Sequence, residues 1–118
     1  MDESILKTIK DMLGGYSEDD AYNVDSITHI NTAFSTLNQL GVGPQAGFWI
    51  KGDTEVWGDF INDDAVMQAV KTYVYQKVKL IFDPPTSSSH LEAMKQSIAE
   101  LEWRLNVQAE STELHGGF

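Results

Sequence analysis

The 118-residue sequence contains no cysteine. That absence excludes disulfides, Cys-ligated zinc and a thiol nucleophile, and it fits a reducing compartment. Basic residues are scarce, 8 Lys and Arg against 18 Asp and Glu, and the formal net charge is -10. A chain of this sign repels phosphate backbones and anionic membranes, which argues against a nucleic-acid clamp or an anionic-membrane binder. Two functional readings survive: a mimic of DNA that occupies a basic partner, or a body that surrounds DNA without gripping it. Simple solubility is the bland third. No segment approaches the roughly 18 apolar residues of a membrane span, and "MDESILKTIKDML" has no basic stretch followed by an apolar run. A soluble, unprocessed chain is expected.

Catalytic patterns are also missing. "GVGPQAG" neither follows a strand nor opens a helix and carries no lysine after it, so it is no phosphate loop. There is no GxSxG elbow and no HExxH pair, and the three histidines stand far apart. Carboxylates abound, yet none is visibly set in an apolar pocket that would tune it for acid-base work. The acids of "YSEDDAYNVD", Glu18, Asp19, Asp20 and Asp25, lack the alternating ligands, central glycine and closing glutamate of an EF-hand loop. The expectation is a protein that is not an enzyme and holds no metal or cofactor.

What is present is helical patterning, on a chain long enough for one domain with a modest core. Glu3 to Leu13 sets Ile5, Leu6, Ile9, Met12 and Leu13 on one side and Lys7, Lys10 and Asp11 on the other, and Gly14-Gly15 stops the run. A second helix is expected from about Ser26 to Gln39, with Asp25 or Ser26 as its cap and Val24 as a staple. Its stripe is Ile27, Ile30, Phe34, Leu37 and Leu40. His29 lies one residue off that stripe, a boundary position. Gly41 and Pro44 end the helix.

The period then changes. "GFWIKGDTEVWGDF" reads as a small β-hairpin or a compact aromatic loop that must lean on helices or on a neighbouring subunit. Its aromatics, Trp49 and Trp57 among them, anchor the core or form a stacking platform for bases or sugars; the acids around them disfavour bases. A third helix follows from Asp63 or Asp64 to Phe82, with Val66, Ala69, Val70, Tyr73, Val74, Val78, Ile81 and Phe82 as a wide apolar stripe. So broad an arc suits the centre of a bundle or a face shared between subunits.

Pro84 pushes Asp83 out of the helical region, and Pro84-Pro85 makes a stiff extended step. Ser89 and Glu92 fit a capping box, so residues Asp83, Pro84, Pro85, Ser89 and Glu92 form a rigid corner into the last helix. That helix, to about Glu110, carries Leu91, Met94, Ile98, Leu101 and Leu105 as a packing seam. Trp103 shares a second face with Ala99 and Val107; there it either meets another chain or folds onto the bundle rim. "STELHGGF" has no periodicity and is expected to be a disordered tail that can dock on a partner through Leu114 and Phe118.

"VDSITHINTAFSTLNQLGVGP", the W-x-x-F of Trp57 to Phe60, "YVYQKVKLIFDPPTSS" and "ELEWRLN", taken in this order, resemble the head-tail connector (adaptor) proteins of tailed bacteriophages, particularly those of Gram-positive hosts. The likeness runs from about Asp2 to Glu110. It implies a small, mainly α protein, here a four-helix bundle-like domain over residues 1–110 with a tail over 111–118. It also implies a homo-oligomeric ring, a dodecamer, beneath the portal protein. Such a ring extends the DNA channel, lets DNA pass without specific binding, and receives a head-completion, stopper or tail protein. Its place would be the virion, at the head-tail interface, after assembly in the host cytoplasm. On this reading Trp49, Trp57, Trp103, Arg104, Leu114 and Phe118 bind partners. The alternative function is an acidic DNA-mimic inhibitor of a nucleic-acid-binding protein; a third is a small metal- or sugar-binding module.

Overall fold

The computed structural model describes residues 2–14 and 20–116, with side chains through residue 111. Among them are five α-helices: α1 (Ile5–Met12), α2 (Asn23–Gln39), α3 (Trp57–Phe60), α4 (Asp64–Phe82) and α5 (Ser88–Gly116). The fold is mainly helical, and its four longer helices form a bundle around α4. No β-hairpin forms among the described residues. The aromatic segment is an irregular loop with a single antiparallel bridge between Ser4 and Val56. Its strand-like runs pair with other parts of the chain instead of with each other.

Each of the four longer helices starts where a side chain satisfies its first amides or where another turn feeds it. The Ser4 hydroxyl accepts from the Lys7 N–H at 3.2 Å and begins α1. Ile5, Leu6 and Ile9 then face inward. Lys10, expected on the polar side, is buried, and its ammonium donates to Asn23 Oδ1. Met12, expected in the core, is 40% exposed at the end of the helix.

α2 opens three residues earlier than the Ser26 start, because the 3-10 turn Asp20–Tyr22 runs straight into it. Ser26 is therefore one turn inside and buried, its hydroxyl without a hydrogen-bond partner, while Val24 is exposed and makes no staple. The acids Glu18 and Asp19 of the expected solvated loop lie outside the described residues. α2 closes in a Schellman turn: Val42 N–H donates to Leu37 O at 2.9 Å and Gly41 N–H to Asn38 O at 3.0 Å, with Gly41 at φ 84°. Two residues on, Gly43 sits at φ 88° with Phe60 so close that a Cβ would lie 2.3 Å from its ring. Only glycine fits there.

The loop that follows is held by polar side chains. Asn31 of α2 accepts from Ile50 N–H at 2.7 Å and donates to Ile50 O at 2.9 Å, so one side chain takes the part of a neighbouring strand. Glu55 accepts from Lys51 N–H at 2.7 Å, folding the 51–55 turn on itself. The far end is tied to the N-terminus by Ile5 N–H to Glu55 O at 3.0 Å and Trp57 N–H to Glu3 O at 3.2 Å. Within this frame Phe34, Phe48 and Phe60 pack with ring centroids 4.8–5.3 Å apart. Edge-on and tilted contacts of this kind add to the burial of the rings themselves.

α4 begins at Asp63, whose carboxylate accepts from the Ala65 and Val66 amides at 3.0 and 3.2 Å. It buries Met67, Val70, Tyr73, Val74 and Val78. Ile81, expected in the stripe, is exposed near the helix end. The corner residues behave as expected up to the cap: Asp83 leaves the helical region at φ -151°, ψ 66°. The capping box does not form, since α5 starts at Ser88 and Ser89 is already in its first turn. Ser87 takes the role, its hydroxyl accepting from His90 N–H at 3.4 Å and its carbonyl from Leu91 N–H at 3.0 Å. Three serines run through this corner, and the first of them caps the helix.

α5 has 29 residues and so is about 43 Å long at 1.5 Å per residue, close to the 48 Å of the whole molecule. Its backbone stays helical to Gly116, beyond the Glu110 limit, so residues 111–116, expected as a disordered tail, continue the helix. It packs antiparallel to α4 through Ser97 to Gln76 (3.0 Å) and Tyr73 to Glu102 (2.7 Å), and reaches the end of α2 through Asn106 to Leu40 O (3.2 Å). Only Ile98 and Leu105 of its seam are fully buried. Among the described residues, one flank of this helix has no partner within the chain.

Candidate functional surface

Trp103 stands on that flank, 67% exposed, with Ala99 a turn before it and Val107 a turn after. It does not fold onto the bundle rim. Arg104 beside it is also exposed and pairs with Glu100 at 2.8 Å, a surface pair of small energetic weight. An indole left in water on a helix that already buries its other face is the kind of side chain that anchors protein contacts.

Trp49 is the second exposed indole, at 58%. Its position follows from local geometry. Residues 48 to 50 are extended, so alternate side chains point to opposite sides. Phe48 and Ile50 go into the core, the latter fixed by Asn31, and Trp49 therefore points out. Trp49 lies on the loop and Trp103 on the outer face of α5, and they belong to separate elements.

Trp57 is not a surface residue. It is fully buried, its indole N–H donating to Thr8 Oγ1 at 3.2 Å and the Lys71 ammonium lying 5.7 Å from its ring centroid. It anchors the loop to α1 and α4. Of the tail residues, the Leu114 side chain and the whole of Phe118 lie outside the described residues. The corner residues Asp83, Pro84, Ser89 and Glu92 are exposed and Pro85 is half-buried. They shape the entry to α5.

Sequence reasoning missed a groove of about 260 Å³ where the α2 turn, the start of α4 and the last part of α5 meet. Val42, Ile61, Val66, Leu105 and Ala109 give it an apolar wall, to which Asp63 and Gln108 add polar side chains. Its signal in the sequence is faint: two glycines flanking Val42 hold a narrow, side-chain-poor turn against small Ala109. Those parts are far apart in sequence.

Titratable chemistry is sparse. Tyr73 has its phenol pushed well above the ordinary tyrosine range, first by burial and then by the hydrogen bond to, and negative charge of, Glu102, with Thr36 acting in the opposite sense. The phenol is a structural donor inside the α4–α5 contact. Among the described residues no cluster of His, Asp and Glu could hold a metal ion, and no helix is long and apolar enough to cross a membrane.

The described residues thus form a small helical module with two exposed indoles and a surface groove. A family model described as phage connector protein matches residues 5–112, and the chain belongs to that family of phage structural proteins. No curated protein and no solved structure matches it.

Proposed function

We propose that the protein acts as a ring-forming adaptor between the portal of the phage head and the tail-side proteins. In this reading twelve copies stack beneath the portal, extend the channel through which the genome leaves, and offer a landing surface to a head-completion, stopper or tail protein. Trp103 and Arg104 carry a contact to a neighbouring subunit or the portal, and Trp49 a second contact. Residues 111–118, with Leu114 and Phe118, dock on a partner after or during assembly in the host cytoplasm.

The observation that supports this most is the exposed Trp103 on an otherwise unpartnered flank of a helix nearly as long as the molecule. Charge agrees with it: at -10, the chain suits a conduit that DNA must slide through, since like charge prevents gripping. A DNA mimic would instead gain from acids ordered along one face, whereas here Lys7, Lys71 and Lys77 each sit within 4.0 Å of a carboxylate.

The test is co-purification with the portal of the same phage. Trp103→Ala should lose most of the bound protein while the variant keeps the wild-type melting temperature, and deletion of residues 111–118 should weaken retention. Retention unchanged in both would refute the residue assignment.

A further inference from the structure

We infer that the groove between the α2 turn and α5 is the socket for Trp103 of a second copy of this chain, so that subunits join head to tail. The inference rests on the ring reading above and gives it a polarity and a pair of surfaces.

Three observations carry it. The groove has room for an indole, and it is apolar apart from Asp63 and Gln108. The Gln108 amide supplies an acceptor of the kind that the indole N–H requires once it leaves water. Second, the knob and the socket lie on opposite sides of one helix. At 100° per residue, Trp103 is about 200° around α5 from Leu105, which lines the groove. A two-fold pair would have to present both on one self-complementary patch; opposite placement instead repeats from copy to copy, and such a heterologous contact closes into a ring when the rotation allows.

Third, the charges match. Two copies of a chain at -10 repel, so a contact between them needs a local cation opposite an anion. Arg104 stands next to the knob, its side chain 66% exposed. Asp63 stands in the socket wall, exposed, with one carboxylate oxygen taken by the α4 amides. In the proposed contact Arg104, which pairs with Glu100 at 2.8 Å within its own chain, faces that acid as a second partner, and the pair orients the approach.

The chain has no cysteine, so introduced thiols can be linked without background. Ala99→Cys marks the Trp103 face and Asn62→Cys the groove side; both positions are exposed. The two single variants, one carrying a mass tag, are mixed at high concentration and joined with a short bis-maleimide. Head-to-tail contact predicts that the mixed product, linked between positions 99 and 62, exceeds the statistical share. It also predicts that the doubly substituted chain yields a ladder of multimers, and that adding Trp103→Ala lowers the mixed product roughly tenfold. Filling the groove with Ala109→Phe should do the same, provided thermal unfolding shows that this variant folds. Mixed and like products in the ratio of random collision, or a yield indifferent to Trp103→Ala, would overturn the inference. A ring that still forms on the portal would then leave the adaptor reading standing with a different contact; failure of the wild-type chain to add to the portal would refute the adaptor reading itself.

Discussion

Asn31 and Ile50 exchange two hydrogen bonds, the side-chain amide of one against both backbone groups of the other, at 2.7 and 2.9 Å. This pair is why a loop without strands holds its aromatic residues in register. It fixes Phe48 and Ile50 inward and Trp49 outward, so the exposure of one indole is decided by an asparagine on α2. Asn31→Leu should leave two half-buried backbone groups unpaired and cost about 2–4 kcal/mol. Urea unfolding measures the loss, and Trp49 fluorescence should shift as the loop loosens. A cost below about 0.5 kcal/mol would show that the loop is held by its aromatic rings alone.

Gly43 is expected to tolerate no side chain. Both the left-handed backbone and the Phe60 ring oppose a Cβ, and Gly43→Ala should cost more than about 2 kcal/mol. The double variant Gly43→Ala, Phe60→Leu relieves the clash but not the backbone strain. Its cost should therefore fall short of the sum of the two single costs, as a double-mutant cycle can measure.

Tyr73 makes stability depend on pH at the alkaline end. Its pKa is higher in the folded chain than in the unfolded one, where it is about 10, so the folded state holds its proton longer. The contribution is complete below pH about 10 and is lost as pH rises above it, by up to about 1.4 kcal/mol per pH unit. Tyr73→Phe removes this slope while costing about 1 kcal/mol at pH 7 through the lost bond to Glu102. Parallel stability curves for the two proteins between pH 9 and about pH 11, on either side of the free tyrosine pKa, would contradict it.

Ser87 and Ser89 separate two views of the corner. With the cap at Ser87, Ser87→Ala should lower stability by about 0.5–1 kcal/mol and Ser89→Ala by a few tenths at most. A reversed order would restore the Ser89–Glu92 box. Replacing Pro84 and Pro85 by alanine tests the direction of α5: assembly on the portal should weaken more than the monomer unfolds. Equal losses would make the prolines determinants of the fold alone.

The helices were legible wherever periodicity and punctuation agreed. α4 runs from the Asp63 cap to the residue before Asp83-Pro84, as its acids, stripe and proline dictate. Boundaries failed where neighbouring residues competed, as with the serines before α5, or where a 3-10 turn extended a helix, as with α2. Lys10 and Ile81 were misplaced because burial depends on what packs opposite, and a single helix wheel carries no such information. The exposure of Trp103, an indole off the seam, was legible, whereas Trp57 takes the core-anchoring one of its readings and not the partner contact, because Thr8, Lys71 and Glu3 close around it. The groove needed three segments brought together and was invisible beforehand.

The adaptor proposal stands or falls on a ring of this chain forming on the portal. Electron microscopy of the purified chain mixed with the portal of the same phage tests it most directly. The expected result is an added ring at the narrow end of the portal, with the symmetry of twelve copies and an open central channel, lost with Trp103→Ala. A portal left bare at saturating concentrations of folded wild-type protein would contradict it.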